Sequence, residues 1–292
     1  AAAHGVTAEW LHRTLPRRAA DAHKYTAGRV ACVVGSRAFT GAAVLASTAA
    51  LRVGAGAVVC CTTASAQAAI DAHSAEVMVE VCAETRDGTL AITAFDTVAG
   101  RLAASDAVVV GCGLGRAPET VRLVRALLRR ATVPVVLDAD GLRAFVGHDA
   151  ALADRAGAAP LVLTPHLGEL RALLGDDTFE PADRIETVRA LAARWDAVLV
   201  LKGMPSVVGT PDGRVFVGPP GQPALATAGS GDVLAGTIAG LLAQGLGAAE
   251  AAVCALHLGS DAARRAGGPT GAGVVASDLV AHLPAALAAA LA

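Results

Sequence analysis

The run ATAGSGDVLAG over residues 226–236 places an acid, Asp232, directly behind a glycine loop and ahead of an apolar segment. Leu234, Ile238 and Leu241 recur at helical spacing, which predicts a helix over about 230–244 with these residues on its buried face. A helix N-terminus carries unpaired N–H groups and a partial positive charge, and glycine lets those amides approach an anion closely. Gly229, Ser230 and Gly231 therefore read as a phosphate or oxyanion cradle, with Asp232 beside the bound anion. An ordinary Asp titrates near about 3.9, so an unshifted Asp232 is ionised at neutral pH. A carboxylate that takes a hydroxyl proton while amides neutralise a phosphoryl group is an arrangement for phosphoryl transfer. The competing use of the acid is to cap the helix, worth about 0.3–1 kcal/mol.

Other chemistry-bearing residues fall in short loops: GSRAFTGAA (35–43), GCGLGR (111–116), DADGL (138–142), TPHLGE (164–169) and KGMPS (202–206). Each follows a short run rich in β-branched residues. The runs are Val30–Gly35, Ala57–Thr62, Val77–Val81, Ala107–Gly111, Pro134–Asp138, Leu161–Thr164 and Ala197–Lys202. They are continuously apolar, as parallel strands covered on both faces are. Helical segments lie between them at 41–53, 64–73, 92–104, 118–130, 168–174 and 182–194. The order predicts an α/β fold with a doubly wound, mostly parallel sheet and helices on both faces. Ligands bind beyond the carboxyl ends of such strands, and all five loops fall on that edge. Beyond Lys202, SVVGTPDGRVFVGP (206–219) reads as an edge hairpin around PDG, and helices follow at about 230–244, 248–266 and 276–291. No linker or internal repeat divides residues 1–292, so a single domain is expected, with residues 1–24 as a tail and short helix.

Composition narrows the classes. The chain has 292 residues, 54% hydrophobic and 17% charged, with a net charge of −2; it can bury a large core and carries no basic stripe for a nucleic acid or an anionic membrane. Aromatics are 3%, leaving little surface for base stacking. The six cysteines form no C-x-x-C pair and read as buried reduced thiols, which points to the cytosol; Cys112, in a glycine loop, is the one expected near a site. The apolar run at 233–243 falls short of the about 20 residues that a bilayer span needs, and no signal peptide is visible.

Taken together, ATAGSGDVLAG, TPHLGE, DADGL, GCGLG, TGAAVLA (40–46) and LKG (201–203) resemble the NAD(P)H-hydrate dehydratase family, adenine-nucleotide-dependent repair enzymes of ribokinase-like fold. The similarity runs from about Lys24 to about Leu291 with the motifs in family order. It implies a substrate hydrated at the nicotinamide ring of NADH or NADPH, ADP or ATP as phosphoryl donor, and Mg²⁺. Departing hydroxide belongs to an acid of pKa about 15.7; phosphorylation replaces it with phosphate, whose loss restores the ring. By position, Asp232 would be the base, with Gly229, Ser230 and Gly231 as the anion hole. Lys202, Gly203, Met204, Pro205 and Ser206 would line the donor, and Ala42, Gly113, Gly115 and His166 would contact the hydrated dinucleotide. Asp138 and Glu169 would be outer partners of the metal, though acids in such loops also cap helices. A homo-oligomer is implied, with a tetramer as its form.

The chain departs from the family in three places: KGMPS for KGAGT, GCGLG for GPGLG, and GQP (221–223) for GNP. Met204 adds bulk and Pro205 removes an amide donor, so donor binding is expected to differ. Read without the family, His166 could be a core histidine, but its place just after a strand puts it on the ligand edge and favours contact; Lys202 could be a solvated charge at a strand end, with Gly203 beside it favouring a phosphate role, and Arg129 and Arg130 read as a solvated helix end. GCGLGR lacks the third glycine of a dinucleotide fingerprint, which excludes a Rossmann dehydrogenase. A small-molecule kinase of the same fold and a nucleotide-binding protein without turnover are the alternative functions.

Overall fold

The structure, a computed structural model, describes residues 4–155, 159–267 and 270–292. Its strands are β1 (Arg29–Val33), β2 (Ala57–Thr63), β3 (Met78–Cys82), β4 (Ala107–Val110), β5 (Val135–Leu137), β6 (Leu161–Leu163), β7 (Val198–Leu201), β8 (Val207–Gly209) and β9 (Val215–Val217). They form one sheet in the order β3-β2-β1-β4-β5-β6-β7-β8-β9. β1 to β7 pair in parallel, and the β8–β9 hairpin closes one edge antiparallel. The order reverses between β1 and β4, the switch point of a doubly wound sheet.

The helices are α1 (Ala8–Thr14), α2 (Thr40–Arg52), α3 (Ala64–His73), α4 (Phe95–Ala103), α5 (Pro118–Arg130), α6 (Asp140–Arg143), α7 (Leu167–Leu174), α8 (Arg184–Trp195), α9 (Ser230–Ala243), α10 (Ala248–Gly267) and α11 (Ala276–Leu291). The expected 92–104 helix begins as a 3-10 turn over Ile92–Ala94. The period-two pleat divides each strand between two cores. Val30, Cys32, Val58 and Val109 meet α2, α9, α10 and α11, whereas Ala31, Val33, Val108 and Val110 meet the α4, α5, α7 and α8 face.

α9 corrects the expectation of one buried face. It is buried nearly all round, from Ala235 to Ala243, while Leu234 is only partly buried. It is enclosed by the sheet, α10, α11 and α2, and it crosses α2 most closely. A Cβ on Gly236 would collide with the Ala46 carbonyl, and one on Gly240 would lie 2.7 Å from the Ala50 carbonyl oxygen. Glycine here serves backbone-to-backbone approach, and the alanines of α2 complete the fit. Before α1, His4 pairs with the sheet edge. The His4 N–H donates to the Val215 carbonyl (2.8 Å) and the Val217 N–H to that of His4 (3.3 Å), so the tail lies along the β9 edge.

Candidate active site

Gly229 caps α9 in a left-handed conformation, φ +91°. A side chain there would strike Leu45 of α2, so the loop and α2 are fitted together. Ser230 starts the helix, and its hydroxyl donates to the Leu225 carbonyl at 2.9 Å. Asp232 lies in the first turn. Its carboxylate groups with Asp138 and the Cys112 thiol, one atom of each lying within 4.8 Å of the others.

Asp138 follows β5, is 1% exposed, and accepts hydrogen bonds on Oδ1 from Thr164 Oγ1 at 2.7 Å and Lys202 Nζ at 2.8 Å. Glu169 Oε2 lies 3.6 Å from the same ammonium. Lys202 is therefore not the solvated strand-end charge that its position allows. Its side chain turns inward, and Nζ sits 3.3 Å from where a Cβ on Gly231 would be. Burial pulls the lysine pKa down, but the attraction of Asp138 and Glu169 outweighs it and the net shift is upward.

Three carboxylates thus face one ammonium, leaving two negative charges uncompensated. Asp232 bears the consequence: burial first, and then repulsion from Asp138, push its pKa up to about 6, against the opposing Cys112 hydrogen bond and Lys202 charge. The unshifted acid of the sequence reading is corrected accordingly. It remains largely ionised at neutral pH, now as a poised base. The Cys112 thiol is fully buried, 3.9 Å from Asp138 Oδ2, and burial together with these acids holds it in the neutral form.

Of the residues expected at the donor, Lys202, Gly203, Met204, Ser206, Ser230 and Gly231 line one cleft of about 360 Å³. Gly229 and Pro205 do not line it; Gly229 is turned to α2, and Pro205 follows a cis peptide in the 203–206 turn. Ser206 closes that turn through hydrogen bonds between its hydroxyl and Gly203. The remaining wall is apolar, from Leu225, Val233, Leu234, Leu256 and Leu279, with Gly221 and Gln222 at 221–222. The GQP departure signalled the last two; nothing in the sequence marked Leu256 or Leu279, which arrive from α10 and α11. Thr237 also lines the cleft, and its buried hydroxyl has no partner among the described residues.

The residues expected at the dinucleotide are placed less uniformly. Gly113 lies against Phe39 and Ala42, a Cβ there coming within 2.9 Å of the Ala42 methyl. The Gly115 amide already donates to Asp140 Oδ2 (2.9 Å), and Arg116 pairs with the same carboxylate. His166 is a helix cap: its Nδ1 accepts the Glu169 N–H (3.2 Å), and Glu169 accepts the His166 N–H (2.9 Å). It is not a core histidine, since its ring is 55% exposed. Glu169 is thereby committed to the cap and Lys202. Asp138 caps no helix, and its Oδ2 offers a hard oxygen ligand of the kind Mg²⁺ takes. The adjacent sulfur does not suit that ion.

Comparison with known proteins identifies the family. Residues 30–285 match the family described as NAD(P)H-hydrate dehydratase. The chain is 44% identical over 284 residues to the bifunctional NAD(P)H-hydrate repair enzyme Nnr of Moorella thermoacetica, covering 96% of this chain and 53% of that protein. It is 40% identical over 250 residues to an ADP-dependent (S)-NAD(P)H-hydrate dehydratase of Neisseria meningitidis serogroup B, covering 84% and 79%. The first relatives of this kind are about twice the length of the segment they share with it. Among solved structures, the ADP/ATP-dependent NAD(P)H-hydrate dehydratase of Bacillus subtilis, co-crystallised with ATP and Mg²⁺, superimposes with TM-score 0.80 at 30% identity, covering 97% of both chains. A ribokinase-like protein of Enterococcus faecalis, 23% identical with TM-score 0.83 over 98% and 95% of the two chains, shares the fold.

Proposed function

The chain belongs to the NAD(P)H-hydrate dehydratase family, and from that premise we propose that it is an adenine-nucleotide-dependent (S)-NAD(P)H-hydrate dehydratase. The observation that carries the reading is Asp232, its pKa pushed up to about 6, in the first turn of a helix whose glycine-loop start borders an apolar cleft. The nucleoside of ADP or ATP lies in that cleft, with its phosphates toward the amides of Ser230 and Gly231. Gly229 holds the loop against α2. Ala42, Gly113, Gly115 and His166 border the hydrated dinucleotide.

Asp232 takes the proton of the hydrate hydroxyl. The freed oxygen forms a bond to the donor's terminal phosphorus as the bridging P–O bond breaks, releasing AMP from ADP or ADP from ATP. Phosphate then leaves the ring carbon, a ring proton is lost, and the double bond reforms. The amides at the start of α9 and the Lys202 ammonium stabilise charge on the transferring group. Asp138 is the residue that would hold Mg²⁺, which supplies charge neutralisation on the donor phosphates when bound, leaving Asp232 free as the base.

The enzyme works in the cytosol, a placement supported by six free, buried thiols. Among the described residues no helix is long and apolar enough to cross a membrane. The assembly we propose is a homo-oligomer, a tetramer, which light scattering after size exclusion tests.

The decisive experiment supplies hydrated NADH, Mg²⁺ and either ADP or ATP, and follows reduced-nicotinamide absorbance. Recovery of the absorbance with inorganic phosphate as co-product is expected. Accumulation of a stable phosphorylated product would make the protein a small-molecule kinase, and nucleotide binding without turnover would make it a binding protein.

A further inference from the structure

Met204 stands in the KGMPS turn that follows β7. It is 75% exposed and lines the cleft together with Gly221. The two walls meet through it. A Cβ built on Gly221 would lie 2.6 Å from Met204 Cε, 3.1 Å from Cγ and 3.4 Å from Sδ. The thioether thus reaches across to the 221–222 rim, its methyl lying where a side chain at 221 would begin. Phosphates belong at the amides of Ser230 and Gly231, so the apolar remainder of the cleft, over which Met204 lies, takes the nucleoside.

We propose that Met204 is a donor-contacting residue whose thioether clasps the nucleoside against the 221–222 rim, and that its oxidation by a peroxide opens the clasp and weakens donor binding. This rests on the cleft being the nucleotide site, as proposed above. In the oxidation a sulfur lone pair attacks one peroxide oxygen. The O–O bond breaks, an S–O bond forms, and the other oxygen leaves as water, so sulfur loses the two electrons that peroxide gains. A flexible apolar group becomes a polar, chiral one and loses its sulfur–aromatic contact with the base. Exposure makes Met204 a target, whereas all six cysteines are buried. Only Met78, 51% exposed and remote on β3, is a second methionine.

The test uses Met78→Leu as the parent, treated with dilute hydrogen peroxide until its mass has grown by one oxygen. ADP with Mg²⁺ is then titrated calorimetrically into treated and untreated protein. A rise in Kd of about three- to tenfold is expected, the size of a lost sulfur–aromatic contact. Adding Met204→Leu removes the sulfur while keeping the apolar bulk; it should weaken ADP binding by about three- to tenfold before any treatment and show no further response to peroxide. Gly221→Ala should weaken ADP binding by displacing the thioether, and Met204→Ala in the same chain should cost little more, since both changes remove one shared contact. Unchanged affinity after oxidation, an equal peroxide response in the Met204→Leu protein, or additive effects at 204 and 221 would each overturn the clasp. An untreated parent that binds neither ADP nor ATP would instead remove the reading of the cleft, and the clasp with it.

Discussion

Asp232 shares its pocket with two other carboxylates and one ammonium, and that imbalance sets what substitutions there do. Asp232→Asn should lower turnover by about 10²–10⁴, the usual worth of a general base, while ADP still binds calorimetrically. In the parent, kcat/KM should fall with decreasing pH along a limb centred near about 6, where Asp232 takes up its proton. Stability moves the other way. Between the unfolded pKa and about 6 the folded chain binds more protons than the unfolded one, so the raised pKa lends stability below this window and withdraws it as pH rises. Asp232→Asn should therefore be the more stable protein above pH 6, by about 1–3 kcal/mol, with no difference below about pH 4, as read from urea midpoints. Lys202→Met should act oppositely at neutral pH. It leaves Asp138 and Glu169, side chains 2% and 7% exposed, without their cation, at a cost of about 3–5 kcal/mol. The lysine's role was not legible in the sequence, because its partner Asp138 lies 64 positions away and only the parallel neighbourhood of β5, β6 and β7 brings them together. Asp232 itself was legible, since glycine loop, acid and helix are contiguous. Its raised pKa was not, because that depends on charges delivered by other loops.

At the level of elements, the strands were readable because parallel strands covered on both faces leave continuous apolar runs, as in AVVCCTT for β2 and VLVL for β7. The PDG turn likewise announced the β8–β9 hairpin. Short turns such as α6 were not readable: four residues carry no periodicity, and α6 forms where Gly111, held at φ +130°, lets the Asp138 carbonyl and Gly141 pack against it. The all-round burial of α9 was also hidden, because glycine lowers helix propensity whatever it packs against. Two substitutions separate those meanings. Gly236→Ala gains about 1 kcal/mol of propensity but drives a methyl into the α2 backbone. The net effect should be a loss of about 1–3 kcal/mol, the range for overpacking. Gly100→Ala on α4, exposed and with nothing within 4 Å of the added Cβ, should raise stability by up to about 1 kcal/mol. Paired denaturation curves check both.

The whole molecule is one twisted sheet carrying two cores, so every strand from β1 to β7 serves both faces and the cleft edge depends on the entire stack. The two margins of that sheet differ. At β3 the outermost strand leaves Met78 and Val81 exposed, while at β9 the tail lies alongside through the two backbone hydrogen bonds of His4. His4 and Trp10 also pack their rings near Phe216, with centroids 5.6 and 6.4 Å away. Removing residues up to Thr7 should leave the cleft and its nucleotide affinity intact, yet bare the Val-Phe-Val rim of β9. An uncovered strand of that composition templates the addition of another chain, so the shortened protein should turn cloudy on warming at concentrations where the parent stays clear. A few N-terminal residues without catalytic groups would then decide whether the protein stays in a closed assembly or recruits further copies into aggregates.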